Sequence, residues 1–255
     1  MSGVKYIILF ALIAIISAVL PLWADEDDAV NLYNEGNAAY RNKNWDEAIE
    51  KYLAAVNSGV SSPELFYNLG CAYYRAGDIG RAILWFERAR ILKPRDRDIN
   101  KNLAFVRRLT QDKIESIYRN TLLQWFWKVM EKISFSELWW ILLIVSLAAT
   151  LAISYSILQL RGYWLGITLW IIFILLAGGW YIKGSRLWET HLAIVVVPKV
   201  DVRSSPSEDG EILFTLHSGT RTGIIERRGD WYRIAIEDGH SGWADKNAVE
   251  KVIFR

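Results

Sequence analysis

The feature that most constrains this chain is a pair of uncharged runs near its middle. Leu138–Leu160 and Gly162–Ile182 are separated only by Arg161. Each run has about the length that an α-helix needs to cross the ~30 Å hydrocarbon core of a bilayer. The two runs predict a transmembrane helical hairpin over residues 138–182, which would leave the segments before and after it on one side of the membrane.

Tryptophan supports a contact of this region with a lipid bilayer. The ring prefers the membrane–water interface, and four tryptophans lie near the ends of the two runs: Trp139, Trp140, Trp164 and Trp180. Neither run contains an Asp, Glu, Lys, Arg or His residue, so the sequence offers no basis for transport or proton relay. The predicted role of the hairpin is to hold the segments before and after it close together on one side of the membrane.

Residues 1–24 read as an export signal. Lys5 precedes the apolar run Tyr6–Leu20, and Pro21 ends it shortly before an acidic cluster. The run is short for a spanning helix and is typical of a signal peptide, although an uncleaved N-terminal anchor is the alternative. Both predict that residues from Asp25 onwards lie outside the cytoplasm, at the bacterial inner membrane on its periplasmic side.

The charges beside the hairpin favour the opposite orientation. Lysine and arginine are preferred on cytoplasmic loops, and the outer flanks carry Lys128, Lys132, Lys183 and Arg186 against one arginine in the turn. We give the N-terminal segment more weight because the first segment usually sets the orientation.

A repeat of 34 residues organises residues 25–112. Small residues recur at this spacing as Gly36 and Gly70, and an aromatic position recurs as Tyr52 and Phe86. A small residue lets two helices approach closely, and an aromatic side chain fills the space between them. The further matched pairs are Ala48 with Ala82 and Ala55 with Ala89.

This pattern resembles the tetratricopeptide repeat (TPR) over Ala29 to Pro94, with Asp98–Leu109 as a capping helix. The resemblance implies an all-α solenoid of two repeats whose concave face binds a protein or peptide. By analogy that face takes Tyr33, Asn37, Tyr40, Tyr67, Cys71 and Tyr74. The alternative is that these side chains only pack between repeats. Carboxylate capture is not predicted, because the basic positions of that site are filled by Tyr33, Asp98 and Asn102.

Residues 113–137 carry apolar side chains at helical spacing, among them Trp125, Phe126 and Val129. They predict an amphipathic helix lying in the membrane interface. The alternative is a last solenoid helix that buries the same stripe against the repeats.

Residues 193–255 change to short β-branched runs separated by turn residues, which predicts a small all-β barrel. The order of its sequence motifs resembles that of a bacterial SH3-type (SH3b) domain. The motifs are Val202-Arg203-Ser204-Ser205-Pro206, Gly219, Gly229–Ile234 and Gly239–Trp243. The resemblance implies binding of peptidoglycan or an envelope protein. Trp231, Tyr232 and Trp243 are the candidate ligand surface, and burial in the barrel core is the alternative for both tryptophans. Arg203 is predicted to close the first loop.

No arrangement of residues predicts an enzyme. The three histidines, His191, His217 and His240, have no metal-site spacing, and there is no glycine-rich loop with a lysine for a nucleotide. A net charge of +2 gives no electrostatic footprint for nucleic-acid binding. We therefore expect no catalytic residues, no metal and no cofactor, which disfavours a wall hydrolase.

The domain order resembles the TPR proteins of the bacterial Bat aerotolerance operon, whose implied neighbours are von Willebrand A-type membrane proteins and a MoxR-type ATPase. The sequence predicts a non-enzymatic, membrane-anchored scaffold that binds proteins through its repeats and the envelope through its barrel. The alternative is a sensor or regulator of cell-wall state that binds peptidoglycan.

Overall fold

The computed structural model describes residues 28–113, 132–133, 135–159, 164–185 and 191–253. The chain divides into two compact units, one up to Asp78 and the other from Ile79 onwards. The export signal predicted at residues 1–24 and most of the amphipathic helix predicted at residues 113–137 lie outside the described residues, so both stay predictions.

The described part of the first unit, residues 28–78, contains three helices: α1 over residues 28–41, α2 over Trp45–Asn57 and α3 over Pro63–Ala76. The ends of α3 follow from its sequence, because the Ser62 side chain accepts the Leu65 N–H and Gly77 ends the helix with a φ of 88°. A Cβ added to Gly36 would lie 2.5 Å from the Tyr52 ring. This contact confirms the predicted pairing of a small residue with an aromatic one.

Helices α4 (Ile79–Leu92) and α5 (Arg97–Arg107) open the second unit and pack against each other. The Asp96 side chain caps α5 by accepting the N–H groups of Asp98 and Ile99. Residues 82–89 of α4 are all buried, including the charged Glu87 and Arg88. A helix buried over eight consecutive residues has no face left to water, so other elements cover α4 all round.

Helices α6 (Phe135–Gln159) and α7 (Trp164–Ser185) form an antiparallel pair. Gly166 of α7 lies against Ile153 of α6, where an added Cβ would come within 2.3 Å of the isoleucine side chain. The two predicted uncharged runs therefore do fold as a helical pair.

The prediction that this pair is a transmembrane hairpin is wrong. Within the described ranges, no helix combines the length and the apolarity needed to cross a membrane. The prediction rested on the length of two uncharged runs, and an uncharged run is a weaker condition than an unbroken apolar run of about 20 residues. Residues such as Trp140, Thr150 and Gly178 are uncharged but add little to the apolarity of a helix.

Seven antiparallel strands form one sheet at the C-terminal end, in the order β3-β2-β6-β5-β4-β1-β7. Their bounds are β1 Leu192–Val195, β2 Lys199–Arg203, β3 Ile212–His217, β4 Arg221–Arg228, β5 Trp231–Ala235, β6 Ser241–Asp245 and β7 Val249–Lys251, with a 3₁₀ turn at Lys246–Ala248. Inward-facing aliphatic residues of these strands form the barrel core, among them Val195, Val202, Leu216, Ile234 and Ala244. A helical region followed by a small all-β domain is confirmed.

The first loop of the barrel is closed as predicted. The Arg203 side chain donates a hydrogen bond of 2.8 Å to the Gly210 carbonyl and lies 3.6 Å from the Glu208 carboxylate. The loop therefore depends on a guanidinium group for its shape.

Candidate functional site

A cluster of hydrogen-bonded side chains joins the three helices of the first unit. The Asn37 carbonyl oxygen accepts bonds from the Tyr52 hydroxyl (2.8 Å) and the Asn68 amide (3.0 Å), and the same amide donates to the Tyr33 hydroxyl (3.0 Å). Tyr52 is buried, while Tyr33, Asn37 and Asn68 are half-buried. The cluster holds these side chains in fixed positions, so a ligand would meet a preorganised surface.

Tyr40 extends this surface along α1. Its ring makes an edge-on contact with Trp45, with 5.0 Å between the ring centroids. A hydrogen bond with Tyr40 raises the pKa of Arg75, which is exposed at the end of α3. Sequence reasoning missed Arg75, although it lies one helical turn after Cys71 and two turns after Tyr67, at the spacing of one helix face.

Tyr67, Cys71 and Tyr74 are all half-buried on α3. Burial raises the pKa of the Cys71 thiol to about 11, against the opposing effects of a hydrogen bond with Tyr67 and of the Arg75 charge. Since the thiolate is the reactive form, Cys71 is a weak nucleophile at neutral pH. All six residues predicted for the concave face thus lie on α1 and α3, and their role in binding stays a prediction.

The three predicted aromatic residues of the barrel lie in different environments. Trp231 and Tyr232 are half-buried, and Tyr232 packs partly against the barrel core. Trp243 is only 7% exposed, yet its neighbour Ala244 belongs to the core cluster and Trp243 does not. Because side chains alternate along a strand, Trp243 lies on the sheet face opposite to Ala244.

A cation lies near the ring of Trp243 and another near that of Tyr232, although Tyr232 lies on the core side of the sheet and Trp243 on the opposite face. The Arg228 guanidinium lies 5.2 Å from the centroid of the Trp243 ring, and the Lys251 ammonium lies 5.8 Å from that of Tyr232. A ligand that stacks on Trp243 would have to displace Arg228. Binding at these three residues stays a prediction.

An open cleft that the sequence did not predict lies beside β3. It has a volume of about 480 Å³ and includes the apolar side chains of Leu213, Phe214, Leu216 and Ile236 among its lining residues. Lys113, Asp238 and His240 add charged or titratable groups, and the His240 ring meets the Phe214 ring edge-on at 6.1 Å. No local motif marks this cleft, because the chain around residues 111–113 and the barrel meet only in the folded protein.

Among the described residues, no group of three or more histidine, cysteine, aspartate or glutamate side chains could hold a metal ion. His217 bonds to Asp112, and His240 lies 3.0 Å from Asp238, so each of the two meets one carboxylate. The arrangement offers surfaces for recognition.

Two family models match the chain. Residues 33–97 match the model described as a tetratricopeptide repeat, and residues 198–250 match the model described as a bacterial SH3 domain. Each match covers less than half of the chain. The predicted combination of a TPR region with a bacterial SH3 domain is confirmed. A comparison with curated proteins finds no match.

Solved structures with some similarity are TPR domains. The Sgt2 TPR domain from Aspergillus fumigatus is 28% identical over 31% of this chain and 52% of that chain, with a TM-score of 0.30. The first TPR of Spaghetti (RPAP3), solved with the HSP90 peptide SRMEEVD, is 19% identical over 33% of this chain and 94% of that chain, with a TM-score of 0.24. The present chain spans about half the length of the Sgt2 chain.

Proposed function

We propose that this protein is a non-enzymatic scaffold with two recognition surfaces. The repeats bind a protein or peptide, and the barrel binds peptidoglycan or an envelope protein. The observation that carries the proposal is the surface on α1 and α3, where hydrogen bonds fix Tyr33 and Asn37 beside further half-buried tyrosines. Rigid tyrosine side chains with a polar end are effective contact residues because they lose little conformational entropy on binding.

A non-enzymatic role fits the chemistry of the two surfaces. The Cys71 thiol, the chain's one cysteine, has a raised pKa and is therefore not an activated nucleophile. Zymography with the full-length chain on a peptidoglycan gel tests this part of the proposal. We expect no clearing band, and a band would overturn the non-enzymatic assignment.

The role of the repeat surface is tested by capture of partners from a bacterial envelope extract. The full-length chain is compared with Tyr67→Ala and Tyr74→Ala, which truncate two aromatic residues of the proposed surface. Interface aromatics that contribute strongly cost more than about 1 kcal/mol when truncated, so the affinity for a captured partner should fall at least about fivefold. Glu50→Ala, at an exposed position of α2, is the matched control. Equal affinity for all variants would exclude this surface.

The role of the barrel is tested by sedimentation with purified peptidoglycan. The full-length chain should sediment, and His240→Ala in the cleft or Trp231→Ala on the aromatic side should lower the bound fraction, which would distinguish the two candidate sites. Asn247→Ala, exposed on the barrel, is the control. A chain that stays in solution would exclude wall binding and favour an envelope protein.

The cellular setting is the third part of the proposal. An export signal at residues 1–24, cleaved or kept as an anchor, would place both surfaces on the extracytoplasmic side of the inner membrane. The order of domains supports a role in a stress complex of the Bat aerotolerance type, with von Willebrand A-type membrane proteins as partners. Reporter fusions after Thr110 and after Arg255 test the location, and co-purification with such proteins tests the complex.

A sensor of cell-wall state is the second candidate function. It is favoured by one observation: α4, which lies inside the matched TPR region, belongs to the same compact unit as the barrel. Binding of the repeat partner should then change when soluble peptidoglycan fragments are added. If the affinities are equal with and without fragments, the sensor function is excluded and the scaffold function stands.

A further inference from the structure

Two charged residues of α4 are almost completely buried, and both contact the barrel. Arg88 is 2% exposed, and its guanidinium donates hydrogen bonds to the backbone carbonyls of Val252 (3.0 Å) and Lys251 (2.7 Å) and to the Glu250 carboxylate (3.1 Å). The same group stacks on the Trp85 ring at 4.2 Å from the ring centroid. Arg88 thus joins α4 to the last strand of the barrel.

Glu87 connects three elements of the second unit. It has no exposed surface, and its carboxylate pairs with Arg90 of α4, Arg107 of α5 and, at 3.7 Å, Arg221 of β4. Burial alone would raise the pKa of Glu87, but the three arginines outweigh burial and hold it well below its usual range. Glu87 is therefore an ionised carboxylate on which both helices and the barrel converge.

Asp112 makes a third contact, just after α5. Its carboxylate accepts the backbone N–H of His217 (2.7 Å), the ring N–H of the same histidine (2.8 Å) and the Thr220 hydroxyl (2.6 Å). These groups lie in the turn between β3 and β4. The turn is thereby tied to the chain that leaves α5.

Close backbone approach accompanies these contacts. A Cβ on Gly80 of α4 would lie 2.7 Å from the Val195 carbonyl oxygen of β1. Gly219 has a φ of 91°, which favours glycine, and a Cβ there would lie 2.8 Å from the Ile83 side chain. Both positions exclude larger residues, so the helices and the barrel fit each other closely.

We propose that helices α4 and α5 and the SH3-type barrel are one cooperative folding unit, with Glu87, Arg88 and Asp112 as its ionic interface. The barrel is then a structural extension of the repeat region and not an independently tethered module. This inference does not depend on what either surface binds. A ligand of the barrel has to use the surface that α4 and α5 leave open.

The proposal is tested by amide hydrogen exchange on the full-length chain. Arg88→Met removes the bonds to the last strand while keeping an apolar stem over Trp85. Opening of a cooperative unit exposes all its parts together, so exchange should accelerate at least about tenfold in β1 and β7 as well as in α4. Acceleration confined to α4, with the barrel unchanged, would overturn the proposal.

A reciprocal variant covers the case in which Arg88→Met does not fold. Thr220→Val keeps the shape of a buried barrel residue and removes one hydrogen bond to Asp112. Exchange should accelerate in α5, on the helical side of the interface, by at least about threefold. An unchanged α5 would overturn the proposal.

Two control variants remove exposed ion pairs of the same kind without touching the interface. Lys93→Met deletes the pair with Asp96 beside α5, and Glu226→Gln deletes the pair with Arg228 on the barrel. Because exposed pairs contribute little to stability, neither should change exchange across the interface. If Lys93→Met accelerates exchange in the barrel as much as Arg88→Met does, the ionic interface is not the cause and the proposal fails.

Discussion

The half-buried cluster that joins the first unit is neutral, with the Lys51–Glu35 ion pair lying nearer the surface, whereas the helices and the barrel of the second unit are joined by buried ionic contacts. Asn37, Tyr52 and Asn68 link α1, α2 and α3 through amide and phenol groups. Glu87 and Arg88 link α4 to its neighbours through buried charges. Two helical regions built on one sequence repeat have therefore been stabilised by different chemistry.

The difference has energetic consequences. A neutral hydrogen bond contributes about 0.5–1.5 kcal/mol net, and its loss is tolerable when the remaining partner has another bond. Removing one member of a buried ion pair costs about 3–5 kcal/mol because a charge is left buried without compensation. The ionic interface should thus be sensitive to single substitutions and to pH, whereas the neutral cluster should be less sensitive to single substitutions and insensitive to pH.

The largest effect is expected from Glu87→Gln. The substitution keeps the shape of the side chain but leaves Arg90, Arg107 and Arg221 facing a neutral group. We expect the free energy of unfolding to fall by about 3–5 kcal/mol, measured by urea denaturation of the full-length chain at pH 7.

Glu226→Gln is the control for this measurement, since Glu226 pairs with Arg228 at the surface of the barrel. Its effect should stay within about 0.5 kcal/mol. If Glu87→Gln is no more destabilising than this control, buried charge does not hold the second unit together.

A smaller effect, dependent on pH, is expected at Asp112. Partial burial would raise the pKa of this carboxyl, but the bonds from Thr220 and His217 outweigh burial and hold it below the usual value. A carboxyl with a lowered folded-state pKa stabilises the protein above the unfolded pKa of about 3.9 and loses that contribution as the pH falls through the folded value.

Asp112→Asn should therefore cost about 1.5–3 kcal/mol at pH 7, the range for hydrogen bonds to a charged group. The difference from the wild-type chain should shrink as the pH falls below about 3.9. Unfolding curves collected between pH 3 and pH 7 measure it, and a difference that does not change with pH would show that the charge of Asp112 is unimportant.

The sequence predicted those parts of the fold that depend on local patterns. The 34-residue spacing identified the contact of Gly36 with Tyr52, and the short β-branched runs separated by turn residues predicted the all-β domain. Both follow from helix or strand periodicity, which is visible within a window of a few tens of residues.

The ionic interface was not predicted, because Arg88 and Val252 are 164 residues apart. In the sequence, Glu87 and Arg88 look like ordinary charged positions on the solvent side of a repeat helix. Only the run of buried residues on both sides of them in α4 distinguishes them, and that burial depends on the barrel. The cleft beside β3 was missed for the same reason, since its walls come from two distant parts of the chain.

The transmembrane hairpin was predicted from the length of two uncharged runs and the tryptophans near their ends, and the correction shows how weak that combined signal is. Leu138–Leu160 and Gly162–Ile182 contain no Asp, Glu, Lys, Arg or His residue, yet no helix in the described part of the chain meets the condition for a membrane span. Lack of charge therefore does not distinguish a membrane-spanning helical pair from an apolar pair that does not span.

The smallest effect is expected in the neutral cluster, from Tyr52→Phe. The hydroxyl is lost, but the Asn37 oxygen still accepts a bond from Asn68 and the ring still packs against Gly36. We expect a loss of about 0.5–1.5 kcal/mol in the free energy of unfolding. The loss should be equal at pH 5 and pH 9, because burial raises the pKa of Tyr52 and keeps its hydroxyl neutral.

Tyr181→Phe, at an exposed position of α7, is the matched control and should have no effect. A loss at Tyr52 as large as that of Glu87→Gln would show that the two units do not differ in how their polar contacts stabilise them.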